Sequence, residues 1–289
     1  MRPRVDLRLL PERVRRGVWW LCQAQLDDGS WPDFIVSGNE GREWTTAYVG
    51  LQLAELPAVH RDFCASASAR AQRFIRASVR PSGGWGFAES TPVDADSTAW
   101  CLSFALTCRG AGAEDFTVER RQLRRHQDVC SGGFGTYLPE HFRGLPQESG
   151  YYAATPCVTA AAALALHCAG CVEDRMAIER AANYLERTSD EQGLWPSFWW
   201  DDRIYSTAMA VRLFLRLGRN CGALGLACSS LQMAQDSDGS WSDERLRRPN
   251  AFLTALALRV LIDLGVPETI ASIRNGVAWL MQAQDDDGG

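Results

Sequence analysis

A glycine turn of one kind recurs six times along this chain, and no other feature restricts its fold as strongly. Gln25…Gly29-Ser30-Trp31 and Gln235…Gly239-Ser240-Trp241 carry the full pattern Gln-x-x-x-Gly-x-Trp. Gly83-Gly84-Trp85, Gly132-Gly133-Phe134 and Gly193-Leu194-Trp195 are degenerate copies, and a sixth begins at Gln284 and runs to Gly288-Gly289. A Thr-Ala pair trails each of the first five, at Thr46-Ala47, Thr98-Ala99, Thr159-Ala160, Thr207-Ala208 and Thr254-Ala255. The aromatic-to-threonine spacing is 12–15 residues in four repeats and 25 in the third, which carries an insertion from Gly135 to Thr155. A fixed repeat means one supersecondary unit that buries its apolar face only against its neighbours.

The segments between the turns read as helices. Residues 10–25, 62–77, 174–188, 221–234 and 268–284 place apolar side chains at 3–4 spacing with Arg and Glu opposite, the pattern of an outer helix. Residues 153–169 and 203–217 are apolar on most sides, the pattern of an inner one. No useful stretch alternates with period two, so strands are not expected. Five helix pairs and one lone outer helix predict eleven helices in a single domain over residues 1–289. Inner helices this apolar favour closure of the array into an all-α (α/α)6 toroid, since an open concave face would leave them wet. The count stops one inner helix short. Either the chain has been cut after Gly289, or a homodimer or a second helical subunit completes the ring.

Composition removes several functions. All 30 basic residues are arginine, so lysine Schiff-base chemistry and a Walker-type phosphate loop are excluded. A net charge of −5 without a basic cluster argues against nucleic-acid binding. No apolar run is long enough to span a membrane, and Met1–Asp6 does not read as an export signal. The ten cysteines then read as buried, reduced thiols of a cytoplasmic protein, as at Cys101, Cys157 and Cys168.

Repeat symmetry points to a site. Two residues before each threonine stand Trp44, Asp96, Cys157, Tyr205 and Phe252, so one carboxyl group would face three aromatic rings across a shared cavity. Four residues before stand Arg42, Asp94, Thr155, Arg203 and Asn250, where the two arginines are candidates to hold a diphosphate near helix N-termini. Trp100, Trp199 and Tyr151 are further candidates for the cavity wall. An acid in an apolar cavity, with a second carboxyl group two residues away, stays protonated near neutral pH and can protonate an alkene; aromatic faces then shelter the cation. The competing reading is that Asp94 or Asp96 caps an inner helix.

The Gln-x-x-x-Gly-x-Trp turns resemble, over almost the whole chain, the QW motifs of α/α-toroid terpene cyclases: squalene–hopene cyclases and the class II diterpene and sesquiterpene cyclases. Asp94-Ala95-Asp96-Ser97-Thr98-Ala99 resembles their Asp-x-Asp-Asp-Thr-Ala acid motif and the Asp-x-Asp-Thr-Thr variant of bacterial drimane-type sesquiterpene cyclases. That resemblance implies a protonation-initiated cyclase acting on a linear isoprenoid such as farnesyl or geranylgeranyl diphosphate. Asp96 would be the general acid, Asp94 the first carboxylate, and Ser97 would stand where the family has Asp or Thr. Mg2+ is expected only with a diphosphate substrate. Squalene–hopene cyclases carry a histidine just after a Val-Thr-Ala; here Ala161 follows Val158-Thr159-Ala160, so no histidine partner for the acid is expected. Family members commonly hold substrate against a second helical domain, for which this chain has no room.

Two rivals remain at this level. One is a non-catalytic toroid subunit that binds a prenyl chain or a partner protein. The other is a prenyltransferase-like zinc enzyme, suggested by Asp128-Val129-Cys130; no companion histidine or second cysteine pair accompanies it, so no metal ligand is assigned. His60, His126 and His141 lie in polar stretches and are expected to face solvent.

Overall fold

The computed structural model describes residues 10–36, 38–107, 116–141 and 150–289. Residues 1–9 and 142–149 of the sequence features above therefore lie outside the described part.

Six outer helices, α1 (Leu10–Ala24), α3 (Ala58–Ala77), α5 (Thr117–Arg125), α7 (Arg175–Thr188), α9 (Gly222–Met233) and α11 (Ala271–Ala283), surround five inner ones. The inner helices are α2 (Glu43–Ala54), α4 (Ala95–Thr107), α6 (Pro156–Ala169), α8 (Ile204–Arg216) and α10 (Ala251–Asp263), each packed on the next. The eleven helices and their order match the sequence reading, and no sixth inner helix occurs among the described residues. One expectation fails: Ile35–Val36 (β1) and Asn39–Glu40 (β2) form a small antiparallel ladder, closed through Gly38 at φ +80°. Two-residue strands are too short to show alternation in a sequence. The burial split follows from composition, since α4 and α6 are buried along nearly their whole length whereas α1, α7 and α11 bury one stripe.

The repeat motif is a set of ties. In every complete repeat the backbone N–H of the turn aromatic donates to the threonine hydroxyl that opens the inner helix: Trp31 to Thr46 at 2.9 Å, Trp85 to Thr98 at 3.0 Å, Phe134 to Thr159 at 2.8 Å, Trp195 to Thr207 at 3.1 Å and Trp241 to Thr254 at 2.9 Å. All five threonines are fully buried. The indole N–H of each turn tryptophan reaches back ten residues to the preceding outer helix, as Trp31 does to Leu21 and Trp241 to Leu231. The turn glutamine bridges forward. Gln25 donates to the Gly29 carbonyl and, on the next outer helix, to that of Ala67; Gln235 does the same to Gly239 and Ser272. The turn glycine is obligatory at Gly29: φ is +92°, and a Cβ there would sit 2.6 Å from the Arg70 carbonyl oxygen.

The incomplete sixth turn uses the same bonds to close the ring. Gln284 donates to the Gly288 carbonyl and to that of Arg13 on α1, and Gly288, at φ +104°, lies against the backbone of Arg16. Inside the ring α2 meets α10 directly, through Tyr48 and Phe252 with ring centroids 5.7 Å apart. The inner helices therefore all start at one end of the ring, fixed there by the threonine ties.

Two burial expectations are corrected. His126 is buried, because its α5 turn is covered by the start of the 135–155 insertion, and Cys168 is exposed near the end of α6. The nine described cysteines are all unpaired thiols.

The ties predict a specific cost. Thr254→Val keeps the shape but leaves the buried Trp241 N–H without an acceptor. It is expected to lower stability by about 1–3 kcal/mol, read from urea unfolding, whereas Thr254→Ser should lose less.

Candidate active site

At the end of the ring where the inner helices begin lies a cavity of about 410 Å3, within the usual range of small-molecule sites. Its wall is aromatic: Phe34, Trp44, Phe87, Tyr137, Tyr151, Trp199 and Trp200, with Asn39, Ser90, Thr91, Ser97 and Thr136 between them. Asp94 and Asp96 supply the only formal charges among the described residues that line it. The long insertion of the third repeat now has a structural role, since Thr136, Tyr137 and Tyr151 belong to it. Trp199 is fastened to it by an indole N–H donated to the Thr136 hydroxyl at 2.8 Å.

The two aspartates sit about half a turn apart at the start of α4 and do different things. Asp94 accepts the backbone N–H of Ser97 through Oδ1 at 2.7 Å, which is a helix cap, and its Oδ2 is buried without a partner. Capping is thus the geometry of Asp94, as Asn250 caps α10 through the Leu253 N–H. Asp96 caps nothing. Its Oδ2 accepts the indole N–H of Trp44 at 2.8 Å, and its Oδ1 has no partner. Burial, the dominant cause, pushes Asp94 up to about 8 against its bond to Ser97, with the neighbouring Asp96 adding to the rise. Burial likewise pushes Asp96 up to about 7, opposed by the Trp44 hydrogen bond. Both groups are neutral acids around pH 6.

A third carboxyl group belongs to this neighbourhood and was not singled out in the sequence. Glu43, at the start of α2, is 2% exposed and paired with Arg80 at 3.0 Å, with its Oε2 unpartnered. Burial raises its pKa too, and its field adds to that of Asp94. No spacing rule marks Glu43, because Arg80 comes from the next repeat's turn.

The remaining sequence-chosen residues divide clearly. Trp44, Ser97, Trp199 and Tyr151 line the cavity with the aspartates. Trp100, Tyr205 and Phe252, expected in the wall, stand behind it. The reason is Trp200, which stacks on Tyr205 at 4.8 Å and on Phe252 at 5.0 Å and so covers both. Tyr205 is fully buried, accepting the Trp100 indole N–H at 3.0 Å. The centre of the ring is filled by this aromatic cluster, and the cavity lies above it. Arg42 and Arg203 are not in the wall either. Arg42 pairs with Asp28 and Glu40, at 3.1 and 3.0 Å, and Arg203 with Asp190 and Glu244, at 2.6 and 2.9 Å. Asp28 and Asp190 are residues of their own glycine turns, so the repeat symmetry of the two arginines reflects a repeated structural tie.

A larger cavity, of about 570 Å3, lies at the opposite end of the inner helices. Of its lining carboxylates, Glu55 is paired with Arg212 and Arg259, and both Glu55 and Asp62 are exposed. No group of three or more His, Cys, Asp or Glu that could hold a metal ion occurs among the described residues. Asp128 is bonded to its own turn through the Ser131 N–H, and Cys130 is exposed. No described helix is long and apolar enough to cross a membrane.

The helical ring that carries these acids in the wall of an aromatic chamber has counterparts of known structure. No protein-family model matches the chain. A crystal structure of a protein from Actinoplanes matches at 30% identity with TM-score 0.82, over 96% of this chain and 82% of that one. The type II terpene cyclase MstE from Scytonema, in its apo form, matches at 28% identity with TM-score 0.82, over 98% of this chain and 81% of that one. A variant of MstE in complex with geranylgeranyl dihydroxybenzoate, its substrate, matches at 26% identity with TM-score 0.81, over 98% and 80% of the two chains. The chain has the fold of the class II, or type II, terpene cyclases and is an enzyme of that class.

The buried acids make stability depend on pH in a known direction. Asp96 has a native pKa above its unfolded value, so its contribution is fully present below about pH 4 and is lost as pH rises toward 7. Asp96→Asn removes that loss while keeping an acceptor for Trp44. Its melting temperature should therefore rise relative to the parent chain on going from pH 5 to pH 8. An unchanged difference between the two pH values would contradict an acid held neutral by burial.

Proposed function

We propose that the chain cyclises a linear isoprenoid of farnesyl or geranylgeranyl length, with Asp96 as the acid that starts the reaction. The observation that carries this reading is the unpartnered Oδ1 of a neutral carboxyl group in an aromatic cavity. The proton of Asp96 adds to the terminal carbon–carbon double bond and forms a new C–H bond, and the positive charge falls on the more substituted carbon. The π pair of the next double bond attacks that carbon and closes the ring. Loss of a proton from the final cation restores the proton count, so the overall change is an isomerisation. Aromatic faces stabilise a desolvated cation by about 2 kcal/mol or more each, and in this cavity Phe34 lies 6.0 Å from Trp44, the Asp96 partner, and 5.5 Å from Phe87. Asp94 supports the acid by discouraging a second ionisation beside it, and Ser97 holds Asp94.

The head group is assigned to the cavity mouth, beside Asn39 and Ser90. Among the described wall residues none is basic, and Arg42 and Arg203 are committed to carboxylates, which favours a head group other than a diphosphate. The prenylated aromatic acid of MstE is one model for it. Mg2+ belongs to the reading only for a diphosphate substrate, and the described residues offer no metal cluster for it.

The test is incubation with farnesyl and geranylgeranyl diphosphates, with and without Mg2+, and with a geranylgeranylated dihydroxybenzoate, followed by product analysis. The expected result is a cyclic product from at least one prenylated aromatic acid, and a loss of more than about 100-fold in rate for Asp96→Asn. Equal product from parent and variant would remove Asp96 as the acid.

A further inference from the structure

Asp96 is held from the neighbouring inner helix, where Trp44 donates its indole N–H to Asp96 Oδ2. We propose that Trp44 is the positioning residue for the acid: its indole N–H fixes the reactive proton on Asp96 Oδ1 and holds the carboxylate that remains after the proton leaves. This inference rests on the reading of Asp96 above and goes beyond it.

The argument begins with what an indole can do. Its N–H donates and never accepts, so the oxygen facing it, Asp96 Oδ2, has to be the acceptor. In a neutral carboxyl group the carbonyl oxygen is the better acceptor, which leaves the hydrogen on Oδ1, the atom without a partner in a residue that lines the cavity. The bond is also unequal along the reaction. A hydrogen bond to a carboxylate is roughly twice as strong as one to a neutral acid, so Trp44 stabilises the charge that develops on Asp96 more than it stabilises the starting state. An interaction of that kind raises kcat with little effect on KM. The indole itself does not titrate, so Trp44 directs the proton without supplying one.

The ring is held firmly enough for this role. Trp44 is 5% exposed, stacks on Tyr48 at 5.2 Å with planes 7° apart, and meets Trp100 edge-on at 5.9 Å. The charged and titratable groups around Asp96 from other elements are Glu43 with Arg80 on the α2 side, Tyr137 from the insertion and Tyr205 from α8; on its own flank are Asp94 and Cys101. Trp44 donates to Asp96 Oδ2 from a neighbouring helix, and Asp96 Oδ1 has no partner.

Trp44→Phe keeps a stacked ring and removes the donor. With a substrate that the parent chain cyclises, kcat is expected to fall by about 10- to 100-fold, the worth of one charge-assisted hydrogen bond, with KM nearly unchanged. The high-pH limb of the rate profile, where Asp96 loses its proton, should move upward by about one unit, because the bond opposing the burial effect is gone. Trp44→His, which restores an N–H, should recover part of kcat and return the limb. A merely structural tryptophan would lower the amount of active enzyme and leave the limb in place, and that result would overturn the proposal. The carboxyl titration of Asp96 followed by 13C NMR provides a readout without turnover: its midpoint should rise in Trp44→Phe, and an unmoved midpoint would also overturn the proposal. If the parent chain cyclises no isoprenoid while the NMR midpoint still moves, the cyclisation reading fails and the positioning role stands.

Discussion

The hydrogen bond from a turn aromatic's backbone N–H to a buried threonine hydroxyl underlies everything else in this molecule. It recurs in all five complete repeats and joins a glycine turn to the first residues of an inner helix. Because the turn is also clamped to the outer helices before and after it, the bond leaves the inner helix no freedom to slide along the ring axis. Five helices pinned at the same height present five N-termini at one end, and the chamber opens there. The architecture is therefore a registration device, and the chemistry occupies the positions that registration brings to one level.

That placement sets two forces against each other at Asp94 and Asp96. A helix N-terminus favours a carboxylate, whereas removal from water favours the neutral acid. At Asp94 the helix dipole and the Ser97 N–H work on the ionised form, yet burial still wins and its pKa is raised. Asp96, one half-turn on, takes no cap hydrogen bond and answers only to Trp44. The second buried carboxyl, with Glu43 beyond it, adds like charge whenever a proton is lost, so the cluster resists releasing more than one. A carboxyl group that keeps its proton close to neutral pH emerges from that balance.

Most of the fold was legible because the ties are made by residue types with few substitutes. A positive-φ turn pressed against a carbonyl needs glycine, a donor with ten-residue reach needs tryptophan, and a buried acceptor at an inner-helix start needs threonine. Their spacing exposed the helix count, the inner and outer assignment and the incomplete sixth repeat. The acids at Asp94 and Asp96 were legible for the complementary reason, as the repeat that breaks its own pattern. What escaped was decided by side-chain direction. Equivalent register put Tyr205 and Phe252 on a level with Asp96, but Trp200 folds over them from a loop that symmetry does not describe. Arg42 and Arg203 looked like an anion site, and are instead the same internal tie made twice. His126 looked polar from its neighbours and is buried by an insertion whose course no periodicity reveals.

The aromatic filling at the centre of the ring shapes the chemistry as well as the stability. A hollow toroid would admit water along its axis, and water captures a carbocation. Trp100, Tyr205, Phe252 and Tyr48 close that axis beneath the chamber, with the Trp100–Tyr205 hydrogen bond satisfying the polar atoms that would otherwise be buried alone. The floor of the chamber is then a layer of π faces, and Phe34, Val36 and Asn39 with Thr136, Tyr137 and Tyr151 complete its wall. Asp94 and Asp96 lie where these meet the N-terminus of α4. Under the proposed function, an isoprenoid folded in this chamber would meet Asp96 beside aromatic faces, so positive charge would form next to surfaces that stabilise it.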